Sequence, residues 1–270
     1  MTEEFARNVS DGDKEVALAN EIIRVTVGSG AHGMAIEGRD DNDEMGVYIQ
    51  TKEQILGLEP SANHYTSRTK PAGVRSEPGD TDLIIYSLRK YMRLAIQGNP
   101  SVLILLYSKG SNILTNTMFG KELQSLAPSI ISKDVGHRFL GYLDGQKKKL
   151  LGLEKQGRMP SRPELIEQFG YDTKFASHAV RLGLQGIQMV TTGTLTFPMK
   201  PIDVEMCMQI KRGEVDYKSA MACIDWTRSR LFDCMEKENV LPDAPNMAII
   251  NDWMCHTHIA HWTGWRRIRT

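Results

Sequence analysis

Apolar positions along this chain follow two different periods, and the change from one to the other falls near residue 110. Before it, short β-branched or apolar runs alternate with turns. Residues 13–20 read as a helix, with Asp11 or Asp13 as its cap. Residues 22–27 form a β-branched run that predicts a strand. Val47-Tyr48-Ile49 marks a second strand and residues 51–57 a short helix. Residues 82–86 predict a third strand, on which Asp82, Ile84 and Tyr86 share a face. Between them, residues 58–80 carry Pro60, Pro71 and Pro78 without a clear period and read as a long surface loop. Residues 87–97 switch to helical spacing, with Leu88, Tyr91, Met92 and Ala95 on one side. Gly98 ends that helix, Asn99 caps the next, and Pro100 suits its first position. From residue 109 onward helical spacing dominates, over 118–126, 132–153, 163–169, 172–191, 201–211, 216–237 and 245–262. The pattern predicts an α+β chain: a mixed α/β unit over residues 1–110 and a helical unit over 111–270.

Candidate chemistry gathers around the first turn and the second strand. Gly28 and Ser29 offer backbone N–H groups and a hydroxyl at the end of a strand, a setting that suits phosphate. Asp41 and Asp43 flank a single residue, and on a strand they point the same way. Two such carboxylates repel each other unless a cation lies between them. Hard oxygen donors of this kind suit Mg²⁺, which binds one or two carboxylates together with substrate phosphates. Gly28, Gly30 and Gly33 also spell G-x-G-x-x-G, the dinucleotide fingerprint. That fingerprint must open a full helix that packs on the sheet. Here only Met34-Ala35-Ile36-Glu37 is left for a helix before Gly38 and the acidic turn, so the dinucleotide reading is set aside. A plain hairpin with a solvated acidic loop is the other alternative.

Gly28-Ser29 on a strand-to-helix turn, followed by Asp41-Asn42-Asp43 on the next strand, resembles the nucleotidyltransferases of the DNA polymerase β superfamily. Further blocks are similar to one predicted branch of it, found near RNA-repair genes and in phages. These are Gly46-Val47, the stretch from Asp82 to Tyr91, and Gly98-Asn99-Pro100. Tyr171-Asp172-Thr173-Lys174, His178, Arg181-Leu182, Thr192-Gly193 and the ending from Leu241-Pro242 to Trp262 continue the likeness.

The resemblance implies a small mixed-sheet, polymerase β-like catalytic domain followed by a helical nucleotide- and substrate-binding domain. It implies transfer of a nucleoside monophosphate from a triphosphate, ATP among them, to an acceptor hydroxyl, with release of pyrophosphate. Asp41, Asp43 and Asp82 are then the catalytic trio and the ligands of two Mg²⁺ ions, with Mn²⁺ as the alternative ion and Asp80 as the fallback for Asp82. Gly28 and Ser29 are expected to hold the β- and γ-phosphates. The expected acceptor is an RNA, a tRNA-like 3′ end. A protein or small-molecule hydroxyl is the alternative acceptor, and a catalytically silent nucleotide- or RNA-binding protein is the alternative class. Similar proteins often carry a Glu in the helix after Pro100. Here Leu103-Ile104-Leu105-Leu106 stands in its place, so no such role is carried over.

Lys174, His178 and Arg181 fall at i, i+4 and i+7, which places three potential cations on one helix face. Spacing alone fits a solvated stripe as well as an anion site, and the resemblance turns the reading toward a triphosphate. The charge balance is uneven in the same sense. Residues 1–82 hold 16 acidic against 8 basic side chains, and residues 83–270 hold 17 against 25. An acidic part joined to a basic one suits a polyanionic substrate that meets a metal. Lys147, Lys148, Lys149, Arg158 and Arg162 form a basic cluster expected to contact RNA, or else a solvated face. In the long loop, His64, Arg68, Lys70 and Arg75 are placed to close over a nucleotide.

Other classes find little support. No apolar run approaches a membrane span, and the acidic start, Met1-Thr2-Glu3-Glu4, does not read as a signal peptide. The four cysteines show no C-x-x-C and read as free thiols in a reducing cytoplasm. Cys255, His256, His258 and His261 give no closed zinc spacing. Neither G-x-S-x-G nor the P-loop pattern occurs.

Overall fold

A computed structural model describes residues 11–36, 41–58, 62–70, 79–153 and 162–264. The chain divides into two compact units. One comprises Met1–Ile96, Val102–Ile130 and Pro245–Thr270, the other Gln97–Ser101 and Ile131–Ala244. These bounds interleave, where the sequence suggested one cut near residue 110.

The first unit is built on a sheet. In chain order it contains α1 (Asp11–Ala19), β1 (Glu21–Thr26), α2 (Gly28–His32), β2 (Asn42–Tyr48), α3 (Lys52–Leu56), β3 (His64–Arg68) and β4 (Thr81–Ser87). α4 (Leu88–Ile96), α5 (Pro100–Tyr107), β5 (Ile113–Asn116), α6 (Met118–Ser125), α7 (Ala127–Ile130) and, much later, α13 (Met247–Thr263) complete the elements that contribute to it. The strand order is β3-β4-β2-β1-β5. β2 and β4 run parallel; the other neighbours are antiparallel, so the sheet is mixed.

β2 is the central strand, and its sequence shows it. Met45, Gly46, Val47 and Tyr48 are buried in succession, as a strand covered on both faces requires. One face of β4 and β3 presents Ile85 and Tyr65, which are buried with Tyr48 against Ala17 of α1. Fully burying side chains of that size contributes about 1.5–3 kcal/mol each. The apolar side of α4 expected from spacing is buried as Leu88, Tyr91, Met92 and Ala95. In α5, Leu103, Ile104, Leu105 and Leu106 are all buried, so this stretch belongs to the core.

Two strands depart from expectation. Residues 64–68 form β3 inside the stretch read as a long loop. Tyr65 is its only large apolar side chain, too little for a period of two to show. β5 lies within the stretch read as helical and pairs with β1 at the far edge of the sheet. Ile113 and Leu114 are its only apolar residues, and Leu114 is exposed. Near the first turn, the helix is Gly28–His32, starting at the Gly-Ser pair itself; Met34-Ala35-Ile36-Glu37, the stretch left for a helix by the sequence, is not helical over residues 34–36, and Glu37 lies outside the described residues. The last helix, α13, belongs to this unit. Trp262 Nε1 donates to Gln50 O (2.7 Å), Trp253 Nε1 donates to Glu122 Oε2 (3.0 Å), and the His261 ring lies 2.8 Å from Asn20 Oδ1.

The second unit is helical. It contains α8 (Asp134–Leu150), α9 (Pro163–Phe169), α10 (Thr173–Thr192), α11 (Pro201–Lys211) and α12 (Tyr217–Lys237). α10 is its central element and packs against α8, α11 and α12. Asp172 caps it, accepting from the N–H groups of Lys174 and Phe175 at 3.0 Å. Among the described residues no helix is long and apolar enough to cross a membrane.

Candidate active site

β2 and β4 are in parallel register, with Asp43 opposite Asp82 and Asn42 opposite Thr81. Opposed residues share a face, so Asp43 and Asp82 project together. Asp41 lies one residue ahead of β2 rather than on it. Asn42 N–H, donating to Asp80 O (2.8 Å), ties that approach to β4. One carboxylate oxygen from each of Asp41, Asp43 and Asp82 lies within 4.8 Å of the others, and all three residues are half-buried. Among the described residues this is the one such gathering of metal-binding side chains. Cys255, His256, His258 and His261 do not form another; the His258 ring meets Met254 O (2.7 Å) and the His261 ring meets Asn20. Asp80, the fallback, is buried beside the trio's strand, with Lys70 Nζ 4.0 Å from its carboxylate.

The Gly-Ser turn is held against this trio. Val27 N–H donates to Asp43 O (2.8 Å), and Gly28 takes a φ of +63°, the left-handed region. A Cβ built on Gly28 would collide with the Asp43 carboxylate. Both conformation and space therefore demand glycine here. Ser29 is half-buried in the turn that follows, and its carbonyl accepts from Met34 N–H (2.9 Å).

Cations reach the trio from the edge strand. Arg68 stands opposite Asp82 across β3 and β4, and its Nε lies 3.1 Å from Asp82 Oδ1. By sequence alone, Arg68 falls in a loop placed to close over a nucleotide. The structure puts it on a strand beside the third carboxylate. The signal that could have found it was Tyr65-Thr66, two strand-favouring residues in a row. Arg75 lies outside the described residues.

In the helical unit, Lys174, His178 and Arg181 lie on α10. Burial lowers the His178 imidazole well below its ordinary value. The charges of Arg181, Lys174, Arg162 and Lys211 act in the same direction. Burial also lowers Arg181, to about 10. All three side chains of this face are half-buried. Of the basic residues expected to contact RNA, Arg162 is buried, paired with Asp172 at 3.4 Å and placed over the Phe175 ring at 5.2 Å. Lys147 pairs with Asp225, Lys148 is exposed, Lys149 is half-buried, and Arg158 lies outside the described residues.

Three oxygen donors of one charge, drawn together on adjacent strands, form a set that a hard divalent cation fits. The glycine turn is packed directly against Asp43 of that set. Set against known proteins, the chain matches no curated protein. A family model described as RlaP, RNA repair pathway DNA polymerase beta family, matches residues 3–254, nearly the whole length, and with its nucleotidyltransferase-type sheet and helical unit the chain belongs to that family.

Proposed function

We propose that this chain is a metal-dependent nucleotidyltransferase that moves a nucleoside monophosphate from a nucleoside triphosphate to the 3′-hydroxyl of an RNA, a tRNA-like end. The observation that carries the reading is the trio of Asp41, Asp43 and Asp82, with Gly28 pressed against Asp43. Asp41 and Asp43 would hold Mg²⁺ or Mn²⁺, and Asp82 would share a second ion. Such ions, when bound, offset charge on the attacking and leaving oxygens of an in-line displacement.

The chain's own groups do the rest. Gly28 and Ser29 receive the β- and γ-phosphates on backbone N–H groups and the Ser29 hydroxyl. Asp82 takes the proton from the acceptor hydroxyl. The acceptor oxygen then bonds to the α-phosphorus, the bond from that phosphorus to the bridging oxygen breaks, and pyrophosphate leaves with the electron pair. In the helical unit, Lys174, His178 and Arg181 bind phosphate oxygens; a cluster of cations around a neutral imidazole favours an anion among them. Exposed Lys148 and its neighbour Lys149 offer that unit's RNA phosphate contacts. Free Cys207, Cys223, Cys234 and Cys255 suit work in the cytoplasm.

The test is release of pyrophosphate from each nucleoside triphosphate with Mg²⁺, with and without RNA. The reading expects release that depends on RNA and stops when the RNA 3′-hydroxyl is blocked. Release that persists with RNA absent and protein or small molecules present assigns the acceptor to those instead.

A further inference from the structure

Cross-strand register places three rows on the sheet face that carries the carboxylates. They are Arg68, Asp82 and Asp43; then Thr66, Ile84 and Met45; then His64, Tyr86 and Val47. On β2, Met45 and Val47 are buried. On β3 and β4, Thr66, Ile84, His64 and Tyr86 are only half-buried. The opposite face of the same two strands is closed by α1 over Tyr65 and Ile85. An open stripe therefore begins beside Asp82 and runs along the edge of the sheet.

Its chemistry is specific. The His64 and Tyr86 rings lie 6.1 Å apart, tilted by 46°. His64 Nδ1 is buried with no hydrogen-bond partner among the described residues, a state that costs free energy unless something binds there. Burial first, and Lys90 second, lower the His64 imidazole, so at neutral pH one ring nitrogen donates and the other accepts. Lys90 stands near one end of the stripe, and Arg68 and Lys70 lie near the other. Cations at both ends and two rings between them match a nucleic-acid strand, with phosphates at the cations and bases on the rings. A neutral imidazole suits a base edge or a 2′-hydroxyl.

We propose that the face formed by His64, Thr66, Ile84 and Tyr86 holds the terminal nucleotides of a single-stranded RNA, running between Asp82 and Lys90. The proposal deepens the function proposed above, and it rests on that reading for the acceptor's role. It moves His64 and Arg68 from the nucleoside triphosphate to the acceptor.

The experiment is binding of a 5′-fluorescein-labelled single-stranded RNA with a free 3′-hydroxyl to the full chain, by anisotropy, with Mg²⁺ and without nucleoside triphosphate. Lys90→Ala, His64→Ala and Tyr86→Leu should each weaken binding at least about threefold, and Tyr86→Phe should not, because the ring remains for stacking. Lys90→Ala should also make the salt dependence shallower by about 0.7 in the log–log slope, one phosphate contact on a single strand. Thermal stability and ATP affinity should stay at wild-type values in Lys90→Ala, whose side chain lies on a helix surface. A 4-thiouridine at the RNA 3′ end should crosslink to peptides containing residues 64–68 or Tyr86. Wild-type RNA affinity and salt slope in Lys90→Ala, His64→Ala and Tyr86→Leu would overturn the proposal. So would an absence of RNA binding at low salt, which with label passing to protein would make a polypeptide the acceptor. Because binding is read without turnover, the two readings separate. RNA bound on this face but never extended fails the function alone, and RNA extended normally by variants of normal affinity fails this face alone.

Discussion

Two regions of this protein concentrate charge of one sign, and they do it by different means. In the sheet unit, parallel register brings Asp43 and Asp82 side by side, and Asp41 joins them from the approach to β2. In the helical unit, the period of α10 aligns Lys174, His178 and Arg181, and Arg162 and Lys211 add their charges from neighbouring segments. The carboxylates are half-buried and stay beside cations of the edge strand, Arg68 above all. Lys174, His178 and Arg181 are half-buried as well, and burial is the largest cause of the lowering at both His178 and Arg181. Like charges gathered in a folded protein destabilise it unless a ligand of opposite charge is bound. On the proposed function, the first region takes a cation and the second an anion.

The largest effect should come from breaking the first region. Asp41→Asn or Asp43→Asn should lower transfer by at least about 100-fold, since each removes an oxygen donor from the ion that stabilises the reacting charge. The fold should stay intact, and without Mg²⁺ the melting temperature should hold or rise slightly as repulsion is relieved. Kinetics and melting curves on the same samples check both halves.

Gly28→Ala should come next. It combines a left-handed backbone, which costs a residue with a Cβ about 1–3 kcal/mol, with a collision against the Asp43 carboxylate. Transfer should fall at least about tenfold and stability should fall as well, which separates it from Asp43→Asn in melting curves.

The second region is tested by Lys174→Ala and Arg181→Lys. Nucleoside triphosphate affinity, by calorimetry, should weaken about tenfold or more in Lys174→Ala and less in Arg181→Lys, which keeps its charge, as charge-assisted hydrogen bonds to phosphate contribute about 1.5–3 kcal/mol. Wild-type affinity in both would leave the cluster a structural feature of α10 packing.

A smaller effect follows from pH. His64, His178, His258 and His261 all have folded values lowered by burial. The unfolded chain then binds protons that the native state excludes, so stability is full above about pH 6.5 and falls as pH drops below it. The slope is at most about 1.4 kcal/mol per pH unit for each proton taken up. His178→Asn should make that acid-side loss shallower in melting curves taken from pH 7.5 to 5. Saturating triphosphate should do the same if the anion sits near the imidazole.

Most of this architecture was legible in the sequence where a period and a cap agreed. Pro163–Phe169 and Pro201–Lys211 match the ranges read from spacing, and the ranges read from residues 172 and 216 start one residue later, because Asp172 and Asp216 cap α10 and α12. The proximity of Asp43 and Asp82 was only half visible. The faces came from alternation, but parallel pairing of β2 with β4 is a long-range fact that no local pattern carries. The edge strands β3 and β5 were hidden for a physical reason. Each has one side open and few apolar residues, so no alternation marks it. With β3 went the partnership of Arg68 with Asp82 and the row of His64 and Tyr86. The return of α13 to the sheet unit rests on contacts such as Trp262 with Gln50, more than two hundred residues apart in sequence, which spacing does not record.

On the proposed function, the carboxylate trio transfers a nucleotide to RNA. The direct measurement is an incubation of the full chain with α-labelled nucleoside triphosphate, Mg²⁺ and single-stranded RNA, followed by digestion with RNase or protease. Label is expected on RNA that protease leaves and RNase removes, and no label with Asp43→Asn or with a blocked 3′ end. Label on RNA at wild-type levels in both Asp41→Asn and Asp43→Asn would contradict it, as would label that survives RNase and travels with protein.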